Sequence, residues 1–406
     1  MNSQLLIYDD ADPVAAGHHS EYIEHLIEYW LRLPVEGRLD IATAPEFRER
    51  YDRLHQLLKE GERAGVCFRP LKGSRAVRKA GTVSRSIAAG RLLKESVEKV
   101  RPSACLLMSF DHFQASLATG LRFDFPVKLA GIYFRPTFHY GQFEGTRLGL
   151  GDRVRQLRQL VMLSFAIRNP HLSSILCLDP YSVPFIHRLR SNLRVFPLPD
   201  PLKPLNESHD AREVRRSLGL EGETKVLLLF GALARRKGVF QLLEAAQALP
   251  DSVASKACLL LAGPIPASDR SEVNSCCEKV RSGKGVRVIT IDRWIDDPEA
   301  RRLFSIADVV LLPYQRHSGM SAVLVRAASA RVPVVGSDYG LLGELIRRRR
   351  LGIATDCQDP EKISSAIVSS LSRPRTEFFD AEQARCFAEE NSAEEYAKVV
   401  FSQVLD

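Results

Sequence analysis

Three consecutive cations, Arg235, Arg236 and Lys237, follow an apolar run that closes on Phe230 and Gly231. The run from Val226 reads as a buried strand, and Gly231 permits a tight turn. Beyond Gly238, residues Val239, Leu242, Leu243, Ala246 and Leu249 recur at helical spacing. In open α/β sheets, ligands bind outside the carboxyl ends of the strands. Cations placed there, beside the positive end of a helix, suit an anion such as a diphosphate. A solvated basic loop has the same composition, so position alone leaves both readings open.

A second strand–loop–helix–strand run covers 307–336. Its loop, His317-Ser318-Gly319-Met320-Ser321, is small and polar and stands just before a helix, where backbone N–H groups can face a phosphate. Neither run is a Walker A loop, and no GxGxxG follows a strand, which argues against a standard NAD or FAD site. The eight cysteines show no zinc spacing and read as reduced, structural thiols. No acidic DxD-type cluster stands in a donor-type loop, so no metal is expected.

The elements that must position these loops come from alternation. Short apolar runs alternate with amphipathic stretches, the pattern of a parallel sheet covered by helices. Strands are expected at 4–8, 104–109, 127–134, 174–178 and 193–197, then at 225–230, 256–262, 286–291, 309–312 and 332–336. Between the two series, Pro197, Pro199, Pro201 and Pro204 make a stiff connector. This gives an N-terminal domain over 1–200, a C-terminal domain over 205–375 and a helical tail over 376–406, with Asn391-Ser392 as a cap. A chain of 406 residues, 45% hydrophobic and 26% charged, suits two such cores.

In this order and spacing, the two runs resemble the C-terminal domain of the retaining GT-B glycosyltransferases of family 4, the glycosyl transferases group 1. The resemblance rests on Gly231 with Lys237-Gly238 and on Asp296-Asp297-Pro298-Glu299 leading to Ala307-Asp308-Val309 and Leu312-Pro313. It rests also on Arg331-Val332-Pro333-Val334-Val335-Gly336-Ser337 with Gly340 and Glu344, and it covers 225–371. It implies a GT-B α/β fold, two Rossmann-like domains facing each other across a cleft, with a nucleotide-diphosphate sugar held by the C-terminal one. The N-terminal domain would present a glycan, lipid-linked or small-molecule acceptor. Transfer would proceed with retention, without metal and with no cofactor beyond the donor. Gly231, Arg235, Arg236, Lys237, Ser318, Gly319, Met320, Ser321 and Arg326 would line the donor.

Two departures stand out. Where the family has a pair of glutamates flanking the donor loop, this chain has Ser318 and Arg326, and Ala232 replaces the family's arginine after the strand-end glycine. A guanidinium only donates hydrogen bonds. Arg326 is therefore expected to meet an acidic group on the donor, or an internal carboxylate, with Asp338 and Glu344 nearest in sequence. A rival reading follows: a catalytically degenerate GT-B protein that binds a glycan or a partner.

The N-terminal half resembles the family only weakly. Gly17-His18-His19 falls after the first strand, and Ser109-Phe110-Asp111-His112 ends a buried strand. After a third strand come Arg135 and His139 among aromatics, near where the family often has a cleft histidine. His139, His112 and Arg135 are the catalytic candidates, and His18 reads as a hydrogen-bonded loop residue.

A net charge of +8 favours anionic partners. The cations spread over both halves rather than forming one stripe, so no nucleic acid is expected. The basic segment 72–101, with Arg75, Arg78, Lys79, Arg85, Arg91, Lys94 and Lys99, suits an anionic membrane holding a lipid-linked acceptor, or a solvated helical face. The arginines at 347–350 end a helix, where the dipole favours them. No signal peptide and no spanning stretch is legible. The expected location is the cytoplasm, peripheral at the inner face of the membrane.

Overall fold

The computed structural model describes residues 3–12, 17–33, 37–72, 82–202, 211–220, 222–283 and 285–405. The chain packs as two compact units. The first comprises Met1–His139, Leu148–Pro201 and Ala393–Asp406; the second comprises Tyr140–Arg147 and Leu202–Ser392.

The first unit is built on seven strands: β1 (Ser3–Tyr8), β2 (Gly37–Thr43), β3 (Val66–Pro70), β4 (Ala104–Leu107), β5 (Lys128–Tyr133), β6 (Leu172–Cys177) and β7 (Arg194–Pro197). Their order is β3-β2-β1-β4-β5-β6-β7 and every pairing is parallel. The second unit has β8 (Lys225–Phe230), β9 (Ala257–Ala262), β10 (Arg287–Ile291), β11 (Val309–Leu312), β12 (Val334–Ser337) and β13 (Gly352–Thr355). Their order is β10-β9-β8-β11-β12-β13, again all parallel. Strand order reverses beside β1 in one sheet and beside β8 in the other, and a crevice opens at such reversals.

Apolar runs became inner strands because helices cover both sheet faces; β9 is buried at every residue. Three strands were not expected from the sequence. β2 carries Asp40 in its interior, which hides its apolar character. That carboxylate is fully buried and accepts from Gln4 Nε2 at 3.0 Å, Arg38 Nη2 at 3.0 Å and Arg69 Nε at 2.8 Å. β3 and β13 are edge strands, half-buried for most of their length. The C-terminal helices Ala381–Glu390 and Ala393–Val404 divide between the units at Ser392. The second puts Tyr396, Val400 and Phe401 into the first core, with the Tyr396 ring 5.2 Å from that of Tyr22. Pro204, at the end of the connector, lies outside the described residues.

Glycine is required where backbone meets backbone. Gly238 has φ +74°, and a Cβ there would stand 1.8 Å from the carbonyl oxygen of Pro313. Gly285 has φ +76° with nothing within 4 Å of such a Cβ. Gly285→Ala should therefore cost only the left-handed backbone term, about 1–2 kcal/mol. Gly238→Ala should cost clearly more, because a loop carbonyl must move as well. Urea denaturation of the two variants checks the order, and equal losses would refute it.

Candidate functional site

In the second unit, the loops after β8 and β11 are joined backbone to backbone. β8 ends at Phe230, Gly231 turns at φ +99°, and a one-turn 3-10 helix over Arg235–Lys237 leads through Gly238 into the helix Val239–Gln247. The N–H of Gln315 donates to the carbonyl of Arg236 at 3.0 Å, and Lys237 Nζ stands 3.6 Å from the centre of the Tyr314 ring. The three cations thus have different fates. Arg235 is engaged by Glu272, with Asp269 at 3.8 Å. Lys237 is half-buried over its tyrosine, and Arg236 is exposed.

The loop 317–321 is held from within the same unit by Tyr140–Arg147, a segment far away in sequence. The N–H of Gly319 donates to Tyr140 Oη at 3.0 Å, and that of Gly340 to Thr146 Oγ1 at 2.9 Å. Arg347 donates to the Glu144 carbonyl, and Arg316 Nη2 to that of Arg147 at 3.2 Å. The expectation that Gly319 N–H faces a phosphate is corrected here: a buried tyrosine hydroxyl already accepts from it. His317 Nε2 lies 3.1 Å from the Met320 carbonyl, and Ser318 is half-buried. The N–H groups of Met320 and Ser321 have no acceptor among the described residues. They stand just before the helix Ala322–Ser329.

Arg326 is answered by Asp297 rather than by Asp338 or Glu344, the acids nearest it in sequence. Its Nη1 lies 2.5 Å from Asp297 Oδ1, and Arg301 Nη2 lies 2.7 Å from Asp297 Oδ2. Burial alone would raise the Asp297 carboxyl, but the two guanidinium groups outweigh it and hold the group below the usual carboxylate range. Asp338 and Glu344 are engaged elsewhere. Glu344 pairs with Arg348 at 2.6 Å, and burial beside Asp356 pushes the Asp338 carboxyl up. Asp297 opens the helix Asp297–Ser305, whose cap Asp296 accepts from the N–H of Glu299 at 2.9 Å.

In the first unit, the carboxyl ends of β1, β4 and β5 gather acids and imidazoles. Asp9 and Asp10 follow β1. His19 Nδ1 lies 3.0 Å from Asp9 Oδ1, its ring stacked on Phe134 at 5.3 Å, and His112 Nδ1 lies 3.6 Å from Asp10 Oδ1. Asp111 accepts from the N–H groups of Phe134 at 2.8 Å and Arg135 at 3.1 Å, while burial raises its carboxyl. Arg135 is exposed and His112 half-exposed, so both reach the surface. His139 does not: its ring is fully buried, with Nε2 3.0 Å from Asp179 Oδ2 and the rings of Phe138 and Phe185 each at 5.3 Å. Burial pushes the Asp179 carboxyl up against the opposing pull of His139. The ring thus lies in the interior, against Asp179 and two phenylalanines. The His18 side chain lies outside the described residues, as do Arg75, Arg78, Lys79 and the Arg85 side chain. Burial also pushes the Cys177 thiol up to about 12 and the Cys258 thiol to about 11, so neither is poised as a nucleophile.

Two doubly wound parallel sheets in one chain define the GT-B fold, and solved structures share it over the whole length. Sucrose-phosphate synthase from Thermosynechococcus elongatus is 17% identical with a TM-score of 0.71, over 99% of this chain and 98% of that one. HepE from Anabaena, solved in complex with UDP, is 15% identical with a TM-score of 0.64, over 99% of each chain. Residues 210–394 match the family Glycosyl transferases group 1. A D-inositol 3-phosphate glycosyltransferase from Corynebacterium urealyticum is 29% identical over 185 residues, 45% of this chain and 43% of that protein. The matched stretch spans less than half the length of each curated relative.

Arg326 and Asp297 are both less than half exposed, between the surface and buried limits for ion pairs. Arg326→Ala should cost about 1–2 kcal/mol near neutral pH. Because the folded carboxyl of Asp297 sits below its unfolded value, this contribution is present above the unfolded pKa, about 3.9. It is lost as pH falls through the folded one. Denaturation of both proteins at neutral pH and at about pH 3 should show the difference shrinking in acid. A constant difference would separate Arg326 from Asp297.

Proposed function

We propose that the chain is a retaining glycosyltransferase whose second unit binds a nucleoside diphosphate sugar and whose first unit presents a glycan, lipid-linked or small-molecule acceptor. One observation carries the reading. Arg236, Lys237 and the N–H groups of Met320 and Ser321 all stand on the two joined loops where the strand order reverses. Fixed cations and amides at that place would bind a diphosphate and stabilise its negative charge as the sugar leaves. Gly231 keeps the strand end open, since a Cβ there would meet nothing within 4 Å. Arg235 acts at one remove, its charge committed to Glu272. In the first unit, the exposed side chains of His112 and Arg135 would meet an acceptor hydroxyl or phosphate.

The UDP in the HepE structure makes uridine diphosphate the first ligand to test. Charge-assisted contacts are worth about 1.5–3 kcal/mol each. Lys237→Ala and Arg236→Ala should each weaken nucleoside diphosphate binding by roughly tenfold or more in calorimetry. Unchanged affinity with the fold intact would remove the residue from the site.

The protein's own cations supply the neutralisation in this reading, so transfer should proceed unchanged in a chelator such as EDTA. Loss of turnover that returns with magnesium or manganese would overturn metal independence. The Arg326–Asp297 pair favours a second reading, a binding module without turnover, because Arg326 occupies a family glutamate position and is engaged internally. Nucleoside diphosphate binding without donor hydrolysis or transfer across a donor screen would select it.

A further inference from the structure

The helix Leu150–Ala166 is apolar on two opposite faces. One face carries Leu163 and Ala166 into the core, with Asp152 buried beneath the first turn. The other presents Leu150, Val154, Leu157, Val161 and Phe165, which are 84, 68, 63, 47 and 52% exposed. At 100° per residue these five fall within one narrow stripe about four turns long. The stripe borders a groove of about 560 Å³ lined by Ala115, Ala118, Thr119 and Met162 besides its own residues. Scattered exposed apolar residues are ordinary, but a contiguous stripe marks a surface that something covers.

The charges say what. Arg153 and Arg158 flank the stripe on either side, Arg155 is exposed further round, and the guanidinium of Arg168, just past the helix end, stands 5.4 Å from the centre of the Phe165 ring. The helix's one acid, Asp152, is turned inward and caps the helix through the N–H of Gly149 at 3.0 Å. A second copy of the chain docked helix to helix would bring arginines against arginines with no exposed acid on the helix to answer them. A bilayer with anionic headgroups supplies an apolar layer for the stripe and negative charge for its borders, the combination that holds amphipathic helices in an interface. Arginine stems suit this geometry, since their heads reach out to the headgroups while their methylenes stay with the apolar face. We propose that this face of Leu150–Ala166 docks the chain on an anionic lipid bilayer. The surface differs from the basic segment 72–101 to which the sequence pointed, and the inference stands whether or not the chain transfers a sugar.

The test is flotation of the full chain with phosphatidylcholine vesicles, with and without phosphatidylglycerol. Wild type should float with the anionic vesicles only and be released by salt. Arg153→Ala with Arg158→Ala should lower the partition coefficient about fivefold for each arginine. Leu157→Ser with Val161→Ser should lower it more than about tenfold at low salt. All four positions are exposed, so circular dichroism should be unchanged, and sedimentation velocity run alongside reports the mass. Failure of wild type to float, or equal binding by wild type and both variants, would overturn the proposal. So would a concentration-dependent dimer that the serine variant dissolves, which would assign the stripe to a second copy.

Discussion

The Pro313 carbonyl stands where a side chain at position 238 would project, and that close approach organises the second unit. It brings the turn after β8 and the turn after β11 into one backbone surface, with the Arg236 carbonyl accepting from Gln315 and the Lys237 ammonium resting on Tyr314. A bulkier residue at 238 would part the loops and scatter the cations. The same economy recurs beside it. Gly263 has φ +143°, and a Cβ there would stand 2.1 Å from the carbonyl oxygen of Gly231. Gly340 leaves room for the ring of Tyr140, which a Cβ would meet at 2.5 Å. Polar donors are concentrated at this edge because the chain gives up side chains there, and the surrounding core of leucine and valine keeps the exposed backbone rigid.

The sequence made this half of the fold readable because its signals are local. A strand, its turn and its helix occupy about twenty adjacent residues, and the glycines mark the turns. What escaped is what lies far apart along the chain. Tyr140 meets Gly319 across 179 residues, and no periodicity announces that a segment from between two N-terminal strands will occupy an amide of a C-terminal loop. Arg326 and Asp297 are closer, 29 residues apart, but they sit on different helices, and helix spacing predicts neighbours only along one helix. The sequence could say that Arg326 would meet an acidic group on the donor or an internal carboxylate. Which one was a matter of packing.

The first unit was harder to read because much of its polar chemistry is buried. Asp40, inside β2, breaks the apolar run that would have marked a strand, yet it is tolerated because three donors converge on it. His139 illustrates the converse. A histidine after a strand among aromatics looks like a cleft residue, but with Asp179 as partner and two phenylalanines alongside it is part of the interior. The acids that do reach the strand ends, Asp9 and Asp10, stand side by side just after the first apolar run. Their importance came only with the imidazoles of His19 and His112 beside them.

The helix Leu150–Ala166 shows the same limit from the other side. Its apolar residues recur around nearly the whole circumference, and such a pattern carries no arrow pointing inward. Only the packing beneath it decides that Leu163 and Ala166 belong to the core, leaving Leu150, Val154, Leu157, Val161 and Phe165 outside. Arg153 and Arg158 follow the same division: they stand on the outer half of the helix, next to the apolar residues the core does not use. Apolar surface that the fold leaves uncovered, bordered by one sign of charge, is a property of neither the composition nor the fold alone. It arises where the sequence provides more hydrophobic faces than the core has room to bury.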